Sequence, residues 1–456
     1  MDFGSLRHSQ RLDRSKQTAP LDRGGPAIDL CRYLRLGYAC PLLQSQVVKT
    51  FKETPRVGQH REPSNPLSAT VHEDVRPVPM LDLARQYEQI RADMLAAVGR
   101  VCESQHFILG PEVEALEREL AEYCGAPYAV GCASGTDALW LALVAAGIQP
   151  GDWVLTTPFS FFASSSAIVR AGARPVFADI DPLTFNLSAV AVEKALRAGD
   201  RRIRAVLPVH LYGQCADMDA FQALAGKFDL ALIEDAAQAI GASFGASEGN
   251  GRRAGTMGVA AAFSFYPTKN LSAAGDAGLV TTKDEHLAAH MRQLRNHGSP
   301  QRYVHEEFGW NCRLDAIQAA VLRVKLKRVD SWNQARRERA AAYDRLFLDS
   351  KLAGDNSPIQ LPRTADRAFH VFHQYVVRAD RRDALREFLT ARGIGSEIYY
   401  PIPLHLQSCF AYLGHREGDF PESERAAREV LALPMFPELT KDEQHRVVAA
   451  IAEFYR

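Results

Sequence analysis

The residues best suited to chemistry are a glycine-containing turn, an acid and a lysine, each placed directly after an apolar run. The turn, Ser134-Gly135-Thr136-Asp137, precedes a helical pattern. A helix N-terminus presents free backbone N–H groups, and glycine lets an anion approach the main chain, so the turn could hold a phosphate. The same residue types are favoured as helix N-caps, and taken alone the turn is explained more simply as a cap.

The acid, Asp235, ends the apolar run that includes Ile233, and small residues follow it. A carboxylate there could pair with a cationic ring nitrogen, and Ala236 and Ala237 would leave room for a flat ligand. In isolation, Asp235 could equally be the N-cap of a following helix.

The lysine, Lys269, follows the alternating run Phe263-Ser264-Phe265. A lysine beside aromatic residues is unusual unless its amine is needed, for example for a Schiff base with an aldehyde. A lone lysine, however, is more often a solvated cation. Each of the three sites therefore has an ordinary structural explanation of its own.

The order of the three sites along the chain favours a shared function over three separate structural explanations. Pyridoxal phosphate (PLP) enzymes of the aspartate aminotransferase fold carry a phosphate site, an acid for the pyridine nitrogen and a lysine for the aldehyde in this sequence order. If the pattern had no such function, the turn, the acid and the lysine would each need a separate structural explanation. The pair Phe161-Phe162 offers a ring to stack on such a cofactor, although Phe162 could also be a core residue.

Apolar strand patterns alternate with helical patterns over most of the chain. The predicted strands are 128–130, 153–157, 175–180, 203–209, 230–233, 259–265, 278–282 and 374–377. This alternation predicts an α/β fold with a mostly parallel sheet covered on both faces, in which ligands lie at the carboxyl ends of the strands. A long helical stretch over 314–346 is predicted to lead into a smaller α+β domain.

Composition excludes several classes of protein. The 456 residues are 46% hydrophobic, and 54 basic side chains balance 54 acidic ones, so nothing predicts binding to nucleic acid or to an anionic membrane. No apolar run approaches the ~20 residues that span a bilayer. The 8 cysteines lack the short spacings of zinc or dithiol sites. We therefore expect a cytoplasmic protein without a metal.

Residues 1–76 differ in composition from the rest, with 12 Lys and Arg against 8 Asp and Glu, and they show no sustained periodicity. We interpret them as a disordered extension, followed by a large domain over 77–330 and a small domain over 331–456. A nucleic-acid arm or targeting peptide is the alternative.

Deleting residues 1–76 is predicted to leave folding and activity nearly unchanged, because the segment lacks the apolar pattern that would offset an ordering entropy of about 1–2 kcal/mol per residue. A thermal melt and an activity assay of the truncated protein test this. A melting temperature lower by many degrees would contradict the prediction.

From Pro79 to its end the sequence resembles the DegT/DnrJ/EryC1/StrS group of sugar aminotransferases. The segments that carry the resemblance are Ser134–Leu139, Pro208–Gln214, Glu234–Gln238, Phe263–Leu271, Asn296–Gly298, Asn311–Asp315 and Tyr400–Gln407. The resemblance implies the PLP-dependent transferase fold of type I. It does not cover the first ~77 residues, in agreement with the composition break there.

The resemblance also implies roles for individual residues. Lys269 would carry the aldehyde of PLP and move protons, Asp235 would pair with the pyridine nitrogen, and Gln238 would lie near the phenolic oxygen. His405 and His210 would face the active site, and for both a structural hydrogen-bonding role stays open. The remaining cofactor contacts implied are Gly135, Thr136 and Ser264 at the phosphate, Phe161 on the ring, and Asn311 at the phosphate bound by the partner subunit of a homodimer.

By the same resemblance, Lys269 argues for transamination, since members that dehydrate sugars have histidine at this position. Ser272 replaces a glycine common in the family, a change that costs some freedom in a turn without disabling the chemistry. The expected reaction moves an amino group from glutamate to a nucleotide-linked keto sugar, with a 3-keto-6-deoxyhexose favoured. A 4-keto sugar, a keto-inositol, or a catalytically silent regulator that binds PLP are the alternatives.

Overall fold

The computed structural model describes residues 76–199, 202–246 and 249–456. The predicted extension over 1–76 lies outside the described residues, except for Arg76. The strands are β1 (Tyr128–Cys132), β2 (Trp153–Thr156), β3 (Arg174–Phe177), β4 (Ile203–Val206), β5 (Ala231–Asp235), β6 (Ser243–Phe244), β7 (Arg252–Arg253), β8 (Ala260–Ser264), β9 (Gly278–Thr282), β10 (Ile359–Gln360), β11 (Ala368–Phe369), β12 (Tyr375–Ala379) and β13 (Val430–Leu433).

Helices flank these strands, and none in the described ranges is long and apolar enough to cross a membrane. The helices are α1 (Leu83–Ser104), α2 (Pro111–Cys124), α3 (Gly135–Ala145), α4 (Ala163–Arg170), α5 (Ala189–Arg197), α6 (Met218–Phe228), α7 (Glu285–Leu294), α8 (Ala316–Leu326), α9 (Val329–Asp349), α10 (Arg382–Ala391), α11 (Pro421–Glu429) and α12 (Lys441–Tyr455).

A seven-stranded sheet in the order β1-β9-β8-β5-β4-β2-β3 forms the centre of the fold. Its strands β3, β2, β4, β5 and β8 run parallel to one another. Strand β9 runs antiparallel to both β8 and β1. The prediction of an α/β fold with a mostly parallel sheet is therefore confirmed.

Apolar packing on both faces explains why these strands are almost continuously hydrophobic. Successive side chains of a strand point to opposite faces. Thus Leu155 and Ala261 belong to the apolar core on one face, whereas Val154 and Ala262 belong to the core on the other.

The predicted helical stretch over 314–346 forms two helices, α8 and α9, with a break at Lys327 and Arg328 that the sequence pattern did not indicate. Helix α8 packs on α1 and α2, whereas α9 packs on α12. The two packing surfaces require the chain to change direction, and tertiary contacts override the continuous helical pattern of the sequence.

After α9, the strands β10, β12 and β13 form a second sheet of three strands. Its apolar core includes Tyr343 from α9, Tyr375 from β12 and Val447 from α12. The boundary at residue 330 between a large and a small domain stays a prediction.

Candidate active site

Two candidate phosphate-binding residues meet at the carboxyl end of the central sheet. Ser264 is the last residue of β8, and Gly135 is the first residue of α3, which follows β1. A Cβ atom added to Gly135 would lie 2.6 Å from the Cβ atom of Ser264, so only glycine fits this position. The turn thus brings main-chain N–H groups close to the Ser264 hydroxyl.

The N-cap interpretation of this turn is confirmed. The Ser134 side chain accepts a hydrogen bond from the Asp137 N–H at 3.1 Å. The cap leaves the N–H groups of Gly135 and Thr136 without an acceptor among the described residues. Free N–H groups at the positive end of a helix are suited to binding a phosphate.

Asp235, the last residue of β5, lies on the strand next to β8 and is 3% exposed. Its carboxylate accepts a hydrogen bond from the Ser164 hydroxyl at 2.7 Å and one from the Ala237 N–H at 3.2 Å. No helix begins after Asp235, so the interpretation of this residue as a helix cap is wrong.

The environment of Asp235 is short of positive charge. Burial raises the pKa of the Asp235 carboxyl above its usual value, although the Ser164 hydrogen bond and the charge of Lys269 act in the opposite direction. No Lys, Arg or His of the described residues lies within ion-pair distance of it. A bound cationic group would therefore stabilise this carboxylate.

Lys269 lies in the loop after β8, close enough for its charge and that of Asp235 to interact. Burial lowers the pKa of the Lys269 amine to about 8, and Asp235 opposes that shift. The amine makes no hydrogen bond or ion pair among the described residues. A free amine with a lowered pKa is suited to nucleophilic attack on an aldehyde.

One amide and two aromatic side chains, those of Gln238, Tyr400 and Phe161, lie beside Asp235 in the site. The Gln238 amide accepts from the Tyr212 N–H at 2.7 Å and donates to the Tyr400 hydroxyl at 3.1 Å. The Phe161 ring centroid lies 6.2 Å from that of Tyr400, and Phe161 is 58% exposed. Phe161 is therefore free to contact a planar ligand on its exposed side.

The loop that carries Lys269 is anchored by the next residue, Asn270, which is buried. Its amide donates to Asn333 of α9 at 2.7 Å and to the Val371 carbonyl at 3.1 Å. Its oxygen lies 3.2 Å from Nδ1 of the buried His373. Residues from two distant parts of the chain thus fix the position of Lys269.

His210 forms a buried pair with Glu234, the neighbour of Asp235 on β5. Nε2 of His210 lies 2.9 Å from the Glu234 carboxylate, and Nδ1 accepts from the Ala216 N–H at 3.2 Å. Because adjacent side chains of a strand point to opposite faces, this pair lies on the face opposite to Asp235. The hydrogen-bonding role that stayed open for His210 is the one that the geometry supports.

Backbone donors complete the surroundings of Glu234. The N–H groups of Gly255, Met257 and Gly258 donate to its carboxylate at 2.9, 2.7 and 2.7 Å. Burial alone would raise the pKa of Glu234, but the hydrogen bonds from His210 and from the backbone outweigh it and hold the pKa below its usual value.

Replacing Glu234 with glutamine is predicted to lower the free energy of unfolding by about 3 kcal/mol, because an amide nitrogen would face N–H donors in a buried site. The shift of the urea midpoint measures the loss. The matched change Glu193→Gln, at a half-exposed surface carboxylate paired with Arg197 and Lys227, should leave the midpoint nearly unchanged. Equal midpoints for both variants would contradict the prediction.

Two candidate residues lie apart from this group. His405 is 2% exposed, and its Nε2 lies 3.0 Å from the Glu424 carboxylate. No hydrogen bond or ion pair connects it to Lys269 or Asp235 in the described residues. Asn311 is exposed and pairs through its backbone with Asn296. A catalytic role for His405 and a cofactor contact for Asn311 stay predictions.

The residues brought together fit PLP. Ser264 packs closely against Gly135, and the N–H groups of Gly135 and Thr136 have no acceptor among the described residues, which suits a phosphate. Asp235 is a buried carboxylate with no ion-pair partner among the described residues, which suits a protonated pyridine nitrogen, and Lys269 supplies an amine for the aldehyde. Ser164, which the sequence analysis missed, holds Asp235 in place.

Comparisons with known proteins agree with this geometry. Residues 88–452 match the family model described as the DegT/DnrJ/EryC1/StrS aminotransferase family. The solved structure of S. venezuelae DesV in complex with ketimine intermediate aligns with a TM-score of 0.78 and 46% identity, covering 83% of this chain and 99% of that chain.

Two curated relatives differ in the role that their names describe. The dTDP-3-amino-3,4,6-trideoxy-alpha-D-glucose transaminase of Streptomyces venezuelae is 47% identical over 377 residues, which are 83% of this chain and 96% of that protein. The pleiotropic regulatory protein of Geobacillus stearothermophilus is 50% identical over 379 residues, which are 83% of this chain and 99% of that protein.

Proposed function

The chain belongs to the DegT/DnrJ/EryC1/StrS aminotransferase family, and on this basis we propose that it moves an amino group from glutamate to a nucleotide-linked keto sugar, a step of amino-sugar biosynthesis. Aminotransferases of this family depend on PLP and share the type I transferase fold. The observation that carries the proposal is the free amine of Lys269 beside the buried carboxylate of Asp235.

When bound, PLP supplies an aldehyde that takes up the amino group and a ring that accepts the electron pair of a broken C–H bond. The Asp235 carboxylate would hold the ring nitrogen in its protonated, positive form. Nζ of Lys269 would attack the aldehyde and later take the proton from Cα of the amino donor. The lowered pKa of this amine, about 8, makes the neutral, proton-accepting form available near neutral pH.

Other residues would bind and orient the cofactor. The N–H groups of Gly135 and Thr136, together with the Ser264 hydroxyl, would hold the phosphate. Phe161 would stack on the ring, and Gln238 would contact the phenolic oxygen. In this arrangement the phosphate and the ring nitrogen are held at different strand ends, which orients the ring relative to Lys269.

We propose a 3-keto-6-deoxyhexose as the sugar, because the Streptomyces venezuelae relative is named for a 3-amino sugar. The test is incubation of the purified protein with PLP, glutamate and a panel of 3-keto and 4-keto nucleotide sugars, with detection by mass spectrometry. Amine formed only from 3-keto substrates is the expected result. Amine formed only from 4-keto substrates would overturn this part of the proposal.

The name of the Geobacillus relative favours a second candidate, a regulator that binds PLP but does not catalyse amino-group transfer. The same incubation separates the two, since a silent regulator would convert no sugar and no glutamate. The intact pair Lys269 and Asp235 favours the enzyme, because a binding protein does not need an amine and an acid in this arrangement.

A homodimer acting in the cytoplasm is part of the proposal. Phe308 is 96% exposed and Tyr303 is 80% exposed, and both lie in the segment before Asn311. Exposed aromatic side chains of this kind are typical of protein interfaces. Light scattering after gel filtration should give the mass of two chains, and the mass of one chain would exclude a shared active site.

A further inference from the structure

A small cavity of about 200 Å³ lies between α1 and the loop that carries Lys269. Its walls are Leu83, Gln86, Tyr87, Met94, Pro267, Ala273, Ala274 and Lys325. Most of these side chains are apolar, and Lys325 of α8 is the only charged group among them. Lys325 and the cavity have no part in the site described above.

Lys325 is unusual because it is 7% exposed and has no acidic partner. Its ammonium donates to the Ser272 hydroxyl at 2.9 Å, and no carboxylate of the described residues lies within ion-pair distance. Burial without a compensating charge lowers the pKa of its amine to about 8. A buried cation without a counter-charge costs free energy, and an anion in the cavity would relieve that cost.

A second polar group in the cavity also lacks a partner. The side chain of Gln86 is 8% exposed and makes no hydrogen bond among the described residues. Its amide can donate to an anion whose charge is held by Lys325. The cavity thus combines one cation and one free amide with an apolar remainder.

We propose that this cavity binds a small organic monocarboxylate, with its carboxylate on Lys325 and Gln86 and its short apolar body against Leu83, Met94 and Ala273. One ammonium matches one negative charge, whereas a dicarboxylate would bury a second charge without a partner. The cavity, at about 200 Å³, is large enough for a short organic acid. Butyrate and valerate are acids of this kind.

The cavity lies against the loop that carries Lys269. Pro267 and Ala273 form part of its wall, and both belong to the loop that contains Lys269. A bound carboxylate would therefore contact the loop that carries Lys269. The binding itself does not depend on the proposed aminotransferase function.

Calorimetric titration of the full-length, PLP-loaded protein with butyrate tests the proposal. We expect one site per chain, at least 10-fold weaker binding in Lys325→Met, and unchanged binding in the matched variant Lys327→Met, in which an exposed lysine two residues away is removed. Succinate should bind at least 10-fold more weakly than butyrate. Inorganic phosphate binding more tightly than butyrate would overturn the assignment to a carboxylate.

A second variant keeps the test independent of the folding of Lys325→Met. Leu83 is 40% exposed at the rim of the cavity, so Leu83→Trp should fill the cavity while leaving Lys325 in place. This variant should lose butyrate binding and keep its circular dichroism spectrum. Equal affinity of wild type, Lys325→Met and Leu83→Trp, or no binding to wild type at 50 mM butyrate (about 1.8 kcal/mol below the 1 M standard state), would overturn the proposal.

Discussion

The Lys269→Ala protein is expected to lose amino-group transfer by at least ~1000-fold, because the same amine serves as nucleophile and proton carrier and no other described amine approaches Asp235. Mass spectrometry of the aminated sugar measures the loss. After treatment with borohydride, wild type should retain PLP covalently on the peptide that contains Lys269, and the variant should retain none.

The control for this change is Lys283→Ala, which removes an exposed lysine at the end of β9. It should transfer amino groups at the wild-type rate and retain PLP on the Lys269 peptide. Recovery of the label on another lysine in wild type would show that the amine has been assigned to the wrong residue.

The Asp235→Asn protein is expected to bind PLP but to react with glutamate at least ~100-fold more slowly, a change of about 2.7 kcal/mol in the barrier. Asparagine keeps the shape of the side chain. Its oxygen can accept from the Ala237 N–H, and the Ser164 hydroxyl can rotate to accept from its amide nitrogen. The hydrogen bonds therefore survive, and only the negative charge that favours the protonated ring nitrogen is lost.

Half-transamination with glutamate, followed by the change in cofactor absorbance, measures this rate in the absence of a sugar. PLP binding is measured separately, by titration of the cofactor-free variant. The matched change Asp355→Asn, at an exposed acid far along the chain, should have no effect. If the Asp235→Asn protein binds PLP and reacts at nearly the normal rate, the partner of the ring nitrogen is a different residue.

The sequence predicted Asp235 and Lys269 because each follows an apolar strand pattern and parallel strands end at the same edge of a sheet, whereas its family resemblance implied Ser264. It could not predict Ser164, which is 71 residues from Asp235, or Tyr400, which is 162 residues from Gln238. These contacts depend on how distant segments pack, and a local pattern of residues carries no information about that packing.

The break between helices α8 and α9 also depends on the packing of distant segments, which the local sequence pattern does not reveal. Residues 314–346 have an unbroken helical pattern, and only the different partners of the two helices, α1 and α2 on one side and α12 on the other, require the break. The anchoring of Asn270 by Asn333 and Val371 was equally hidden, because it depends on the position of α9.

The pair of Glu234 and His210 has a practical consequence for cofactor exchange. The end of β5 is held on one face by a carboxylate whose hydrogen-bond donors all come from the protein itself. The strand end that carries Asp235 therefore does not rely on a bound ligand for its position. Protein stripped of PLP should keep this edge of the sheet intact, which makes the chain suitable for reconstitution with cofactor analogues that carry altered rings or isotopic labels.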